Sequence, residues 1–451
     1  MKIGMQVWGS HGDIRPMLAL AEGLQAAGNE VHLVITSVDS DAYRHHVSPH
    51  GLRISLLASP VVEPSRAEEF SRIAYAMWNP VAQMATLLRQ AYAPVEDRMF
   101  EAARQLSRES DLLIGHYFMH PLQIAAQEAG RPYVSVLLSH AGIPSAFNHP
   151  FGNVALGKTV HRLLWRLVCG MLDRVLLPYP NRLRRQLGMA PVHDMVRQVW
   201  LSDYLTLAAV SPRICHAQPD WPAAIRVCGF LDTPQLAIEG EVPAALAAFL
   251  DAGEAPVYMT FGSWMPKDRA GQTRTLQLLT QAARLAGCRA IIQSDAAADC
   301  GFASDAQICY VAMSPHQAIF PRCRAIVHHG GAGTTQAATL AGKPSVIVAH
   351  ISEQEHWASE LRRLGITGRL ARRRSLSAAG LARRIRQVLA TPAMTARAQE
   401  IGAGMREEDG VAEAVALIVR RAERRPAPAD MPLAAAGTAA ADAATGPFSM
   451  S

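Results

Sequence analysis

The sequence predicts an α/β protein made of two halves, each built from alternating strands and helices. Short apolar strand segments alternate with amphipathic helical segments in both halves, and Gly-rich turns follow several strands. The first unit has a strand at 2–8, a helix from Ile14 with Gly28 just beyond its end, and a strand at 31–36. Such a β-α-β unit favours parallel pairing with a right-handed crossover.

The same alternation continues along the rest of the chain. In the first half, further elements are predicted at 111–115, 121–129 and 133–138. The second half begins near Pro256, with elements predicted at 257–263, 272–286, 289–294 and 325–328. Residues 231–240 are expected to link the halves. Residues 425–451 are low in complexity and poor in large apolar side chains, so we expect a disordered tail.

Two long helical stretches in the first half have unusual compositions. The stretch at 73–92 is rich in Met and aromatic residues, including Trp78, and the stretch at 156–187 carries many arginines between apolar positions. Core-facing helices explain both patterns. The alternatives are a greasy ligand pocket for the first stretch and peripheral contact with a membrane surface for the second.

Charge and composition narrow the classes of function. The net charge is +6, but the basic residues lack the interleaved aromatics of a nucleic-acid arm, so no nucleic-acid partner is expected. The seven cysteines form no CxxC pair and their number is odd, which indicates reduced thiols. No signal peptide and no apolar run of about 18–20 residues is evident. We therefore expect a cytoplasmic protein, either free or peripheral at the inner face of the membrane.

The most informative segment of the second half is HHGGAGTTQAATLAGKP, residues 328–344. A strand runs into a Gly-rich turn, and a helix is predicted to start near Thr334. Close backbone amides and a helix N-terminus favour anion binding. The expected donors are Gly330, Gly331, Gly333, Thr334, Thr335 and His329. This pattern predicts a diphosphate cradle, with a plain Gly-rich turn and Thr caps as the alternative. It contains neither a P-loop lysine nor GxGxxG.

Four blocks of sequence resemble the large inverting GT-B glycosyltransferase family of the family 1 type, which includes plant natural-product, sterol and bacterial antibiotic or lipid enzymes. In the family's order and spacing, the blocks are GSHGDIRP, VYMTFGS, SPHQAIFPRCRAIVHHGGAGTT and AGKPSVIVAHISEQEHWA. The resemblance covers residues 1–424. It implies two Rossmann-like doubly wound domains facing each other across a cleft. The implied activity is transfer of a hexose from a UDP- or dTDP-sugar to an alcohol, with inversion at the anomeric carbon.

The resemblance also implies which residues bind the donor. The residues implied to bind the diphosphate are His329, Gly331, Gly333, Thr334, Thr335 and Ser263. The nucleobase segment contains Met313, Pro315 and His316. Glu353 and Gln354 stand at the family's Asp-Gln pair for the donor sugar, and Trp357 matches an aromatic of sterol-type members. Met313 lies near the stacking tryptophan of plant members and Ala337 replaces their ribose-binding glutamate, so uracil and thymine both stay open.

Asp13 stands at the family's catalytic-base position, three residues before Pro16. Plant members carry histidine there, and bacterial and sterol-type members commonly carry aspartate. The resemblance implies that Asp13 takes the proton of the acceptor hydroxyl. In plant members an aspartate about a hundred residues on orients the base, and the matching position here is His116. The alternative for Asp13 is an N-cap of the helix starting at Ile14.

Three further residues are expected to line the acceptor cleft. They are His11, Trp78 and His140. The composition of the stretch at 73–92 suggests that the acceptor is hydrophobic. A plain loop histidine is equally compatible with His11, and His120 lies in the same group of loops as His116.

No metal and no tightly bound cofactor is expected, since the nucleotide sugar is a co-substrate. The helix dipole and His329 would neutralise the diphosphate in place of Mg²⁺. Asp39 and Asp41 form a DxD pattern, but they follow a strand in the first half, where a solvated turn is the better interpretation.

Competing functions are a nucleotide-sugar 2-epimerase on the same fold, a non-catalytic relative that activates a partner, and a dehydrogenase. The last requires GxGxxG after the first strand, which is missing. We expect an acceptor domain at 1–230, a nucleotide-sugar domain at 241–407, and a helix at 408–424 that crosses back to the first domain.

Overall fold

The computed structural model describes residues 1–424, except 41, 78–79, 153, 234–235 and 237. The expected tail at 425–451 and the candidate acceptor residue Trp78 lie outside the described residues.

The first sheet contains seven parallel strands in the order β3-β2-β1-β4-β5-β6-β7. In chain order they are β1 (Lys2–Gly9), β2 (Glu30–Ser37), β3 (Arg53–Leu56), β4 (Leu112–His116), β5 (Tyr133–Leu137), β6 (Leu205–Ala208) and β7 (Ile225–Val227).

The second sheet contains six parallel strands in the order β10-β9-β8-β11-β12-β13. They are β8 (Val257–Thr260), β9 (Ala290–Gln293), β10 (Ile308–Val311), β11 (Ala325–His328), β12 (Ser345–Ala349) and β13 (Ala371–Arg372). In each sheet the chain first adds strands on one side of its first strand, β1 or β8, and then adds the later strands on the other side. This is the doubly wound arrangement. The predicted fold class is confirmed.

Helices cover the faces of both sheets. Those before the second sheet are α1 (His11–Ala26), α2 (Pro64–Ala76), α3 (Pro80–Leu87), α4 (Ala93–Glu109), α5 (His120–Glu128), α6 (Lys158–Leu176), α7 (Pro178–Gln186) and α8 (Ala244–Asp251). Those that follow are α9 (Arg269–Ala286), α10 (His316–Ile319), α11 (Ala332–Leu340), α12 (Ser352–Arg363), α13 (Ala378–Leu389), α14 (Pro392–Arg406) and α15 (Gly410–Glu423).

The central strand β1 shows why the sheet is buried on both faces. Ile3, Met5 and Val7 are at most 1% exposed and belong to a core that includes α1. Gln6 points to the opposite face, where it is also buried and its Nε2 donates to Met99 O of α4 at 2.9 Å. Because parallel strands covered on both faces must be apolar throughout, a continuous apolar run is expected for β1.

Several contacts join the first sheet and its helices to the second sheet and its helices. The Gln336 side chain of α11 accepts a hydrogen bond from Ser211 N at 2.9 Å and donates to Ala209 O at 3.1 Å, both after β6. At the chain's end, α15 returns to the first sheet, where Leu417 and Ile418 join the core that contains β1. The boundaries proposed for the two domains stay predictions.

The cysteines and the helices also bear on the expectations from the sequence. All seven cysteines are free thiols. Among the described residues, no helix is both long and apolar enough to cross a membrane.

Candidate active site

The segment after β1 folds back so that Asp13 faces the start of its own helix. Ser10 is the N-cap of α1, and Asp13 is the third helical residue. Asp13 Oδ2 accepts hydrogen bonds from Ser10 N at 2.8 Å and Ser10 Oγ at 3.0 Å. Gly9 has φ +145°, and a Cβ there would lie 2.4 Å from Asp13 Oδ2, so glycine is required. The N-cap interpretation of Asp13 is therefore wrong, because the helix begins three residues earlier than expected.

The structure brings Asp13 and His116 together. His116 ends β4, beside β1, and its Nε2 lies 3.8 Å from Asp13 Oδ1. The imidazole is 1% exposed, whereas the Asp13 side chain is 34% exposed. Among the described residues, neither nitrogen of His116 has a hydrogen-bond partner. Asp13 thus keeps one oxygen for Ser10 and turns the other toward His116, with its side chain partly exposed.

Burial sets the charge of this pair. It lowers the pKa of His116 to about 3, so the imidazole is neutral at ordinary pH. Burial also raises the pKa of Asp13, while the Ser10 hydrogen bonds act in the opposite direction. A neutral imidazole beside a carboxylate of raised pKa is an arrangement that can accept a proton.

An aromatic wall lies next to His116 and was missed in the sequence. It consists of Trp8, Tyr117, Phe118 and Trp200. The His116 and Tyr117 rings are 4.4 Å apart, and the Phe118 and Trp200 rings are 5.7 Å apart. Tyr117 and Phe118 directly follow the carboxyl end of β4, where ligand-binding residues of parallel sheets collect. That position was the available signal.

His11 and Arg15 face the linker rather than an open cleft. His11 uses both ring nitrogens, with Nε2 2.9 Å from Glu239 Oε1 and Nδ1 2.7 Å from Tyr43 Oη. Arg15, one helical turn later, donates to Glu239 at 2.6 Å and to Asp232 Oδ1 at 2.9 Å. The segment expected to be a simple linker is therefore fixed to α1. The i, i+4 spacing of His11 and Arg15 was a signal for this shared face.

The Gly-rich turn after β11 has the geometry of an anion site. Gly331 is the N-cap of α11, which begins at Ala332, two residues before the predicted start. The amides of the first three helical residues, Ala332 to Thr334, have no acceptor within the helix. A Cβ on Gly331 would lie 2.3 Å from His329 Nε2, which explains why glycine is needed there.

Two buried polar atoms accompany these amides. Thr335 Oγ1 and His329 Nδ1 have no hydrogen-bond partner among the described residues. Burial lowers the pKa of His329 to about 4, so the ring is neutral and carries one N–H. Thr334 is half-buried and Gly333 has no heavy atom within 4 Å of its Cβ position, so both lie beside open space.

The remaining donor candidates surround this turn unequally. Ser263 is exposed in the short turn Gly262–Trp264 after β8, and the Cβ position of Gly262 is 3.0 Å from His329 Cε1. His316 stacks on Phe320 with ring centroids 4.3 Å apart, and burial lowers its pKa to about 4. Met313 is 37% exposed, and no described contact joins its side chain to the turn.

Glu353 and Gln354, the pair expected to bind the donor sugar, have different surroundings. Burial and then the nearby Asp13 carboxylate raise the pKa of Glu353 to about 7, while the Trp357 indole lowers it. The same two carboxylates, after burial, raise the pKa of Tyr117. Gln354 Oε1 instead accepts from His350 N at 2.6 Å, at the start of α12. Glu353 therefore brings the second sheet's edge to Asp13, and the Gln354 oxygen is committed to its own helix.

His140 does not line an open cleft. It is 4% exposed, and its Nε2 lies 3.2 Å from His356 Nε2 of α12. Burial lowers the pKa of His140, but the Cys215 thiol and Glu360 outweigh it and raise the pKa to about 9. His140 was expected to face the acceptor. It instead contacts His356, because α12 covers the loop after β5.

Two other sequence-based expectations are altered. His120 is buried and contacts Glu96 Oε1 at 2.5 Å. Asp39 is half-buried, and its Oδ2 accepts from His11 N at 3.0 Å, so it supports the start of α1 rather than a solvated turn. Asp41 lies outside the described residues. In the stretch at 73–92, Leu88 and Tyr92 are buried in the core, which agrees with core-facing helices.

Two doubly wound parallel sheets make up the molecule, with Asp13 and His116 after strands of the first and a Gly-rich turn at a helix N-terminus after β11 of the second. Glu353, after β12, lies near Asp13, whose carboxylate contributes to its raised pKa. This arrangement is the GT-B fold that the sequence resembles.

Comparisons with known proteins agree. Residues 277–420 match the family described as erythromycin biosynthesis protein CIII-like, C-terminal domain. An uncharacterized glycosyltransferase of Mycobacterium tuberculosis is 28% identical, over 94% of this chain and 100% of that protein. O-mycaminosyltylonolide 6-deoxyallosyltransferase of Streptomyces fradiae is 28% identical, over 94% of this chain and 98% of that protein.

Solved structures show the same fold. The kitacinnamycin glycosyltransferase has a TM-score of 0.66 at 18% identity, covering 93% of this chain and 98% of that one. The glycosyltransferase VinC, solved in complex with dTDP, has a TM-score of 0.60 at 21% identity, covering 94% and 100%. Sequence matches and fold together support a glycosyltransferase of the GT-B family 1 type.

Proposed function

We propose that this chain transfers a hexose from a UDP- or dTDP-sugar to a hydroxyl of a hydrophobic small-molecule or lipid acceptor. The anomeric carbon is inverted, and Asp13 is the general base. The observation that carries the proposal is the free Oδ1 of Asp13, 3.8 Å from a neutral His116, at the meeting point of the two carboxyl edges. The co-substrate is the nucleotide sugar.

The donor side of the proposal rests on the turn after β11. The unpaired amides of α11, the neutral His329 and the Thr335 hydroxyl supply uncharged donors for a diphosphate. VinC was solved with dTDP, which favours a nucleotide diphosphate in this turn. Ser263 and Thr334 lie beside it, and Met313 and His316 are assigned to the base.

The reaction follows from these groups. The acceptor oxygen attacks the anomeric carbon while its proton passes to Asp13 Oδ1. The bond from that carbon to the phosphate oxygen breaks, and the nucleotide diphosphate leaves with the bonding electrons. The α11 amides and His329 stabilise the charge that develops on the leaving group. His116, held rigidly by burial, positions the carboxylate, and Glu353 contacts the sugar from the opposite edge.

The acceptor side rests on the aromatic wall. Trp8, Tyr117 and Phe118 are half-buried beside His116, so their rings offer apolar surface next to the base. Aromatic rings provide large, rigid contact area for a flat or greasy molecule. A hydrophobic alcohol is therefore the proposed acceptor class.

Product analysis tests this function. The full chain is incubated with UDP-glucose or dTDP-glucose and a panel of polyketide, terpenoid, sterol and lipid alcohols, and products are separated and weighed. The expected product is an acceptor heavier by one hexose unit, with a β linkage by NMR from an α-configured donor. Retained anomeric configuration contradicts the inverting mechanism.

Other outcomes separate the alternatives. A nucleotide sugar converted to its 2-epimer without an acceptor would replace the transfer hypothesis with an epimerase. A chain that is not thermally stabilised by any nucleotide diphosphate would not use the turn after β11 as a donor site. At about 100 times the Kd, a bound nucleotide adds about 2.7 kcal/mol of stability, which a melting curve detects.

Peripheral contact with an anionic membrane is a second part of the proposal. On α6, Val160, Leu163, Leu167 and Met171 form one exposed apolar stripe, and Leu167 is 63% exposed. Arg162 and Arg166 are exposed along one side of this stripe. Apolar side chains bordered by arginines fit the boundary between acyl chains and anionic headgroups.

Vesicle flotation tests this contact. The chain is expected to float with phosphatidylglycerol-rich vesicles and not with pure phosphatidylcholine, and the double variant L163Q/L167Q is expected to lose binding. L285Q is the matched control, since Leu285 is an exposed leucine on α9, away from this stripe. Equal flotation of the double variant, or dimerisation through α6 without flotation, contradicts membrane contact.

A further inference from the structure

A buried group of metal-binding side chains lies between the two sheets, apart from the turn after β11. It contains His140 from the short turn after β5, and His356 and Glu360 from α12. One ligand atom from each residue lies within 4.8 Å of the other two. The three side chains are no more than 6% exposed.

The separation of the two imidazole nitrogens matches that of two ligands on one tetrahedral metal ion. His140 Nε2 and His356 Nε2 are 3.2 Å apart, and His140 Nε2 is 3.8 Å from Glu360 Oε1. Two nitrogens bound to one tetrahedral Zn²⁺ at 2.0–2.1 Å would be about 3.3 Å apart. Two imidazole nitrogens this close must share either a proton or a metal ion, because two lone pairs would otherwise face each other.

Helix geometry brings two ligands to one face. His356 and Glu360 are four residues apart, so they project from the same side of α12 toward His140. Glu360 Oε2 is held by Arg363 at 2.8 Å, while Oε1 faces His140. Arg363 also donates to Ile214 O at 2.7 Å, which fixes the carboxylate from behind in the manner of an outer ligand shell.

The donor set of this group is two imidazole nitrogens and one carboxylate oxygen. The buried thiol of Cys215 donates to His216 O at 3.7 Å and is not part of the group. Imidazole nitrogens select transition metals over Mg²⁺ and Ca²⁺, which prefer oxygen.

We propose that His140, His356 and Glu360 bind a transition-metal ion of the Zn²⁺ class. The ion would tie α12 to the loop after β5. Because Glu353 begins the same helix, the ion would also fix the distance between Glu353 and Asp13. The proposal does not depend on the transfer reaction, and this site is separate from the diphosphate turn.

Metal binding by the full chain tests the proposal directly. The purified protein is stripped with a chelator, reloaded with ZnSO₄ and dialysed, and bound zinc is counted by mass spectrometry. One zinc per chain is expected, with an increase in Tm. Competition with a chromophoric chelator gives the Kd, which H356N and E360Q are expected to weaken by more than about 100-fold. H193N is the matched control, since His193 is exposed and outside the group.

A second measurement needs no variant. Co²⁺ added to the stripped wild-type chain is expected to give the intense visible bands of tetrahedral coordination. Only weak, octahedral bands would overturn the proposal, as would folded wild-type chain that retains no zinc. In either case His140 and His356 share a proton. Equal zinc affinity in folded H356N and wild type would also overturn it, because the ion would then bind elsewhere.

Discussion

The carboxyl edges of the two sheets present different kinds of groups. The first edge presents side chains, since Asp13 and His116 lie beside the aromatic wall. The second edge presents backbone, since Gly331 is the N-cap of α11 and the first amides of this helix have no acceptor within it. Neutral imidazoles occur at both edges, because burial lowers the pKa of His116 and of His329.

This difference explains which changes each edge tolerates. A diphosphate has the same shape in every nucleotide sugar, so fixed amides suit it and any added Cβ obstructs it. An acceptor hydroxyl requires removal of a proton, which a backbone cannot perform. The first edge is therefore sensitive to the loss of one functional group, and the second to the addition of one carbon atom.

The largest effect is expected from D13N at the first edge. Asparagine keeps an oxygen for Ser10 but is not a base, so kcat should fall by about 10²–10⁴-fold. Nucleotide affinity, measured by calorimetry, should be unchanged. D39N is the control, because Asp39 supports the same helix start but lies outside the reacting groups. Wild-type kcat in D13N would remove Asp13 from the base role.

At the second edge, G331A should weaken nucleotide binding by about 100-fold, roughly 2.7 kcal/mol. The new Cβ would lie 2.3 Å from His329 Nε2, so the imidazole or the helix start must move. Calorimetric titration with UDP and with dTDP measures the loss. G170A serves as the control, because Gly170 is an exposed helical glycine without a neighbouring heavy atom. Unchanged affinity in G331A would mean that nucleotides bind elsewhere.

An intermediate effect is expected from H116Q. In the proposed reaction His116 acts through Asp13, so kcat should fall by about tenfold and the acid limb of the kcat/KM profile against pH should shift. H120Q removes another buried histidine nearby, but His120 pairs with Glu96, so this control should change stability and leave the profile in place. If H116Q turned over within about twofold of wild type, with the same profile, His116 would have no part in the reaction.

The smallest effect concerns Glu353, where the two edges meet. Its pKa is raised to about 7, so the folded state holds a proton that the unfolded chain has released above about pH 4.5. Stability from this proton is present below about pH 4.5 and is lost as the pH rises through about 7. E353Q should therefore gain roughly 1–3 °C in Tm relative to wild type between about pH 5 and about pH 8. Parallel melting curves would contradict a raised pKa.

Local sequence predicted the parts of the site that one segment builds by itself. The Gly-rich turn after β11 and the position of Asp13 were both evident, because glycines and a helix start lie within a few residues of each other. The helix starts were displaced by two or three residues, since an N-cap is selected by backbone geometry that several neighbouring residues can supply. The pairing of Asp13 with His116 required the resemblance as well.

Contacts between distant segments were not predictable in the same way. Nothing local indicates that Arg15 would bind Asp232 and Glu239, 217 and 224 residues away. The same holds for His140 and His356, 216 residues apart, and for Trp8 against Phe118. In each case the partner is selected by packing of the sheets, which sequence periodicity does not specify.

By itself, the sequence determined the two α/β halves and the Gly-rich turn before a helix, because strand burial, glycine geometry and helix starts depend on neighbouring residues. The candidate base, Asp13, came from the family resemblance. The tertiary structure decided which side chains lie near Asp13 and which make contacts between the two halves of the molecule. It turned Asp13 toward His116, turned His11 toward the linker, and closed α12 over His140. The physical reason is that burial and charge act through space, so a residue's pKa and partner follow from the packing of the whole chain.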